Sequence, residues 1–327
     1  MSGAPVIGQD KAVSRFLDAW RGKTPHHAWL LAGPAGVGKA TFATAAAARV
    51  LAEASARPPE GEGLDLDPDH PTARLLAAGS HPDFRRLERG MNKSGTALAR
   101  NISVEQVREL AGLFAITPSM GEWRTVVIDS IDDMEASAAN ALLKMLEEPP
   151  AKTLFFLVSH APGRLLPTIR SRCRRLDFIP LADDAMTSVL EKERPEDSAA
   201  ERKRLVSLGQ GSAGRAIAIA EQDLSALATQ VVALMRDGDP TTAVRAKLAK
   251  TLSTKAAAER YASFLDMLPG LVAAEAREAN GARRMALIDA YGEVRATARL
   301  APRLSADPAS TIYTMAGALA RAGAVEA

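Results

Sequence analysis

The nine residues Gly33-Pro34-Ala35-Gly36-Val37-Gly38-Lys39-Ala40-Thr41 hold the most legible chemistry in this 327-residue chain. Gly33, Gly36 and Gly38 let backbone N–H groups converge on anionic oxygens, and a helix opening at the same point adds a favourable dipole. Lys39 stands where the lysine of a P-loop reaches the β- and γ-phosphates of a nucleotide. The next residue of that motif is Ser or Thr, whose hydroxyl binds Mg²⁺; here it is Ala40. Thr41 stays among the candidate ligands, but one residue along a helix turns a side chain by about 100°, which makes it a poor substitute.

Asp129 ends the apolar, β-branched run Thr125-Val126-Val127-Ile128. Ligands of open α/β sheets gather at such strand ends, and in a P-loop protein this carboxylate helps hold Mg²⁺. A carboxylate capping a turn is the plainer alternative. Many ATPases carry Glu directly after this Asp, as the group that orients or deprotonates water. Here the position is Ser130, a poor base, and general-base assistance is worth ~10²–10⁴ in rate. Ala40 and Ser130 together argue against efficient turnover in this pocket, while binding of ATP and Mg²⁺ without hydrolysis stays open. Asp132, Asp133 and Glu135 read as caps of the helix that follows.

Arg172 is the other residue that could do chemistry. It follows a short helix after the fourth strand, near the edge of its domain. With Arg170, Arg174 and Arg175 alongside, one reading is an ordinary surface ion pair. The sharper reading is a finger that reaches the γ-phosphate of a neighbouring subunit, worth ~10³–10⁵ in catalysis. In the last third, Arg283, Arg284, Arg295, Arg299 and Arg303 are interleaved with Glu275, Glu278, Asp289 and Glu293. That pattern reads as a solvated helix surface in preference to a DNA-binding face.

The elements that position these residues alternate. Within residues 5–22 an amphipathic helix follows Asp10, with Phe16 and Trp20 on one apolar face, and precedes a strand over 28–32 and a helix over 42–51. Residues 54–79 hold four prolines and three glycines and read as an excursion around a short helix at 73–78. Further strands are expected at 83–87, 125–129, 153–158 and 174–178. Ser103, with Gln106 three residues on, signals a capping box. A helix at 134–148 stops at Pro149-Pro150, and another spans 164–170. Residues 89–100 read as a mobile loop whose arginines and Lys93 are candidates to touch DNA, a solvated loop being the plainer reading. Apolar strands alternating with helices indicate a parallel sheet covered on both faces. After Pro180 only helices are expected, with breaks at 237–240, 269–270, 280–281 and 307–308.

Composition narrows the classes. Aromatic residues make up 4% while the apolar fraction is 47%, so Ala and Leu fill the interior, which favours helices over a sandwich or barrel. A net charge of +2 gives no general pull toward nucleic acid. Cys173 is the only cysteine, so an intrachain disulfide and a cysteine zinc cluster are both ruled out. With no leader pattern and no apolar run near the roughly 18 residues of a membrane span, a cytoplasmic protein without membrane contact is expected.

With these residues in place the chain resembles the delta-prime family of bacterial DNA polymerase III clamp-loader subunits, AAA+ relatives of the gamma/tau and replication factor C subunits. The resemblance runs through most of residues 5–220. It is carried by His27-Ala28-Trp29-Leu30-Leu31, Gly79-Ser80-His81-Pro82-Asp83, Ile102 to Arg108, and most specifically Ala139 to Pro150 and Ser171-Arg172-Cys173. It implies an AAA+ P-loop domain with a five-stranded parallel sheet over 1–178, a small helical lid over 179–222 and an all-α collar over 223–327. It further implies that Lys39 and Asp129 are Walker A and B residues, Ser159 the sensor-1 polar residue and Arg215 the sensor-2 arginine. Val6-Ile7-Gly8 would line the adenine end of a pocket, and Arg172 would be the finger acting in trans. The implied function is that of a largely inert stator in a hetero-pentamer with gamma/tau and delta, and through them with the sliding clamp and primer-template DNA. A self-sufficient AAA+ ATPase is the rival. Many family members carry a four-cysteine zinc module after the P-loop helix; residues 51–80 contain no cysteine, and His70 and His81 do not make up a zinc site, so zinc is not expected.

Overall fold

Runs such as Val126-Val127-Ile128 and Leu154-Phe155-Phe156-Leu157-Val158 are apolar on both sides of the pleat, so they are stable only where both faces are covered. The computed structural model, which describes residues 5–91, 99 and 101–325, shows this arrangement. Five strands, β1 (Ala28–Ala32), β2 (Phe84–Glu88), β3 (Arg124–Asp129), β4 (Thr153–Ser159) and β5 (Arg174–Asp177), form one sheet in the order β2-β3-β4-β1-β5. Every neighbouring pair is parallel. The helices are α1 (Asp10–Trp20), α2 (Lys39–Glu53), α3 (Pro71–Ala77), α4 (Val104–Phe114), α5 (Ala136–Glu147) and α6 (Pro167–Ser171). Alternate residues of the central strands feed two cores. On one face Trp29, Leu31, Val127 and Phe156 pack with Phe16 of α1 and Phe42 of α2. On the other, Leu30, Val126, Ile128 and Phe155 pack with Val107 and Leu110 of α4 and Leu142 of α5.

The chain divides into two compact units, Met1–Leu181 and Ala182–Ala327. In the second, eight α-helices follow one another among the described residues: α7 (Asp183–Glu193), α8 (Ala199–Gly209), α9 (Ala213–Glu221), α10 (Ser225–Asp237), α11 (Ala243–Leu252), α12 (Ala258–Glu278), α13 (Gly281–Leu304) and α14 (Pro308–Gly323). Helix α14, with Ile312, Met315 and Leu319 buried, packs against α10, α11 and α13. No single helix among the described residues is long and apolar enough to cross a membrane.

Local signals account for most boundaries. Ser103 Oγ accepts the Gln106 N–H while the Gln106 side chain accepts the Ser103 N–H, so both arms of the capping box form. Two expectations are corrected. Residues 269–270 do not break a helix, since α12 runs through Pro269. An interior proline costs about 3 kcal/mol of helix propensity. Burial of Phe264, Leu265, Met267, Leu268, Leu271 and Val272 on either side offsets it. The Gln210 side chain also donates to the Gly270 carbonyl. Nor do Asp132 and Asp133 cap the helix after β3. They lie in a separate 3-10 turn, Ile131–Asp133, and α5 begins only at Ala136.

Candidate functional site

The glycine-rich loop, the candidate phosphate cradle, forms because β1 delivers the chain to the C-terminal edge of the sheet and α2 carries it away. Gly36 and Gly38 have φ of 72° and 95°, a region that side chains with a Cβ rarely adopt. Gly38 is also the N-cap of α2, and no side chain caps its first N–H groups. Gly33 meets a different demand: a Cβ there would run into the Phe178 carbonyl oxygen, so only glycine lets the loop pass the end of β5. Gln9 fastens the arrangement from below. Its buried carboxamide donates to the carbonyls of Val37 at 3.1 Å and Ile179 at 2.8 Å.

Lys39 is 3% exposed and folds back onto the loop, donating to the Gly33 carbonyl at 2.7 Å and to that of Pro34. Burial pushes its pKa down to about 8, against the opposing pull of Asp132 and Asp129. Between about pH 8 and the ordinary lysine value of 10.5, the unfolded chain still holds a proton that the folded chain has released. Lys39 therefore adds stability to the first unit as pH rises across that window, while Cys173, whose thiol burial pushes up from 9.0 to about 12, removes stability above about pH 9. Lys39→Met, which cannot titrate, is expected to lack this contribution, so that the wild-type chain gains stability relative to the variant as pH rises. Urea midpoints of the two proteins at about pH 7.5 and about pH 10 check it.

Register places the remaining candidates beside the cradle. Ala32 pairs with Ser159, and Asp129 with Val158, so Lys39, Asp129 and Ser159 share one edge of the sheet. Asp129 Oδ2 accepts from Arg86 Nη2 at 2.7 Å, and Arg86 Nε lies 2.9 Å from Glu88 Oε2. Asp132 accepts from Ser130 Oγ at 2.9 Å, from Ser159 Oγ at 3.0 Å and from the His160 N–H. It thus holds the ends of β3 and β4 together instead of capping a helix. Asp133 faces Arg89, 3.3 Å away, and burial raises its pKa. Burial foremost, then the charge of Lys39, lowers that of His160. Arg86 and the bridging role of Asp132 are what sequence reasoning alone misses. Arg86 has the two-residue spacing from Glu88 that aims both at the Asp129 side of the sheet, a signal readable once the β2–β3 register is known.

Tests of fit divide at the metal. Gly33, Gly36, Gly38 and Lys39 suit phosphate oxygens, but on the Mg²⁺ side Ala40 offers no oxygen and Asp129 is already paired to a guanidinium. Thr41 lies half-buried one residue further along α2. Among the described residues no group of three or more His, Cys, Asp or Glu side chains could hold a metal ion. His70 and His81 instead hold backbone: the former accepts the Thr72 N–H at the start of α3, the latter the Asp83 N–H.

Arg172 is not at this edge. Arg174 pairs with Trp29 at the N-terminal ends of parallel strands, so Arg172 lies at the opposite edge from the cradle, about 16 Å away along five residues of strand. Its guanidinium pairs with Glu147 at 2.9 Å and donates to the Thr168 carbonyl at 3.0 Å, and its side chain is 34% exposed. The neighbouring Cys173 thiol is pushed up to about 12 by burial, which keeps it unreactive. Arg215 belongs to the second unit, where it pairs with Asp266 at 2.8 Å. Of the loop at 89–100, Lys93 and Arg100 lie outside the described residues, and Arg89 is taken by Asp133.

The family model described as DNA polymerase III, delta subunit, matches residues 8–182, more than half of the chain. DNA polymerase III subunit delta′ of Pseudomonas aeruginosa is 38% identical over 193 residues, 58% of this chain and 55% of that protein. The delta′ subunit of Escherichia coli is 37% identical over 154 residues, 46% and 43% of the two chains. The match thus spans about half the length of these curated relatives. A solved gamma-subunit-related DNA polymerase III protein of Thermotoga maritima is 15% identical, with a TM-score of 0.46 over 96% of this chain and 99% of its own. The parallel sheet with its P-loop, followed by helices alone, is the AAA+ fold class that the resemblance implied. By the family match and by these relatives, the chain belongs to the DNA polymerase III delta-subunit family, alongside the delta′ proteins.

Proposed function

We propose that the chain is a delta-prime-type clamp-loader subunit in DNA replication, a stator that binds gamma/tau and delta and lends Arg172 to the ATP site of a neighbour. The observation that carries the reading is the placement of Arg172. It lies, partly exposed, at the edge of the sheet opposite its own cradle, out of reach of its own phosphate site and held by Glu147 and the Thr168 carbonyl until a neighbour's phosphate competes for it. The Arg86–Asp129 pair supports the other half of the reading, little hydrolysis in the chain's own pocket. Residues 1–178 then serve as the AAA+ domain, 179–222 as its lid and 223–327 as the collar of a hetero-pentamer. Ser159 and Arg215 take the sensor positions. Contact with the sliding clamp and primer-template DNA comes through the complex, in the cytoplasm.

The test is reconstitution. ATPase of gamma/tau with delta, measured with and without this chain, is expected to rise on its addition, while the pure chain hydrolyses almost nothing. Mg²⁺-dependent hydrolysis by the pure chain that Lys39→Ala abolishes would establish the self-sufficient ATPase instead.

A further inference from the structure

Gly292 stands in the middle of the 24-residue helix α13, and nothing in this chain asks for glycine there. A Cβ at this position would meet no atom within 4 Å, and its backbone is helical. A glycine in a helix interior weakens the helix relative to alanine, so its presence calls for a cause outside the chain.

The surroundings supply one. Helix α13 buries Leu287, Ala290, Val294 and Ala301 toward α12 and α14. Its other side exposes Met285 (59%), Ile288 (45%), Leu300 (49%) and Leu304 (72%). Ile288, Gly292, Ala296, Leu300 and Leu304 are successive i+4 positions, which form one ridge on a helix surface. Large side chains at its ends and small ones at its centre shape a saddle for a crossing helix.

Charge narrows the occupant. Arg284 extends the same row one step before Ile288, and Arg295 and Arg299 run along one side of it; among the described residues Arg284 and Arg299 form no ion pair, and Arg295 faces the Tyr291 ring, 5.9 Å from its guanidinium. Opposite them stand Asp289 and Glu293, but Glu293 is already paired with Arg321 at 2.8 Å. The face is therefore in cationic surplus. Tyr291, Arg295, Arg299 and Pro302 also line an adjoining cavity of about 470 Å³, room enough for a side chain from outside. A second copy of this chain would bring the same surplus, and like charges brought together oppose association.

We propose that the outer ridge of α13 docks a helix of a different polypeptide. Its apolar side seats over Gly292 and Ala296, and its flanking carboxylates pair with Arg295 and Arg299. This rests on the reading of the chain as a subunit of a hetero-oligomer. In Gly292→Leu the new side chain enters open space in the isolated protein, so its melting temperature is expected to stay the same or rise. Affinity for gamma/tau and delta in titration is expected to fall by about 10-fold or more. The doubly reversed variant Arg295→Glu/Arg299→Glu is expected to weaken the same association and flatten its salt dependence. Wild-type affinity in both variants, with the wild-type chain assembling normally, overturns the ridge alone. Failure of the wild-type chain to join those subunits overturns the assembly reading and the ridge with it. A homodimer of the wild-type chain that Gly292→Leu dissolves assigns the face to a second copy, and overturns the proposal too.

Discussion

Arg172→Ala is expected to abolish hydrolysis at one ATP site of a reconstituted clamp loader and to leave assembly intact. An arginine that meets developing charge on the transferred phosphoryl group is worth ~10³–10⁵ in turnover at that site. Total ATPase should therefore drop by the whole share of the site it completes. Assembly should survive because the Arg172–Glu147 pair is partly exposed, and such pairs contribute at most about 1 kcal/mol. Arg172→Lys is expected to recover little, since an ammonium cannot span two phosphate oxygens as a guanidinium does. Steady-state ATPase together with gel filtration of the complex reads both halves. Unchanged ATPase in a fully assembled Arg172→Ala complex would sink the finger assignment.

Phe16→Ala should produce the largest loss of stability in the first unit. Its ring, fully buried, sits edge-on to Trp29 at 5.3 Å and to Phe42 at 5.8 Å, and 5.4 Å from Phe156. It thereby links α1, the sheet and the helix that opens at the cradle. Truncating a buried phenylalanine costs roughly 3–5 kcal/mol, because the cavity closes only in part. For a unit of this size that is a fall on the order of 10 °C in melting temperature. Phe16→Leu, which keeps most of the volume, should lose much less. Urea unfolding followed by the fluorescence of Trp20, Trp29 and Trp123 checks the pair; equal losses in both variants would show that volume is not what the site needs.

What can be read from sequence is governed by range. The apolar strands, the Ser103–Gln106 capping box and the glycines of the cradle are local signals, and each is found where its chemistry placed it. Asp132 escapes such a reading because an acidic residue just ahead of a helix has a local explanation, whereas Ser159 and His160 approach it only when β3 and β4 pair. The Arg86–Asp129 pair is invisible for the same reason, since it depends on the register between β2 and β3. Pro269 misleads in the opposite direction. Its local cost is real, but buried neighbours on both sides in sequence outweigh it.

Gln9 carries a mechanical consequence. One carboxamide spends both of its N–H groups on two carbonyls, that of Val37 inside the phosphate cradle and that of Ile179, two residues before the first unit ends. The place where the chain leaves that unit is therefore geared to the cradle. Any push that lifts the loop must drag the exit segment with it or strip an amide of a partner it cannot replace in the dry interior. A loop of this kind can in this way act as a lever arm, passing displacement along the chain without a chemical step.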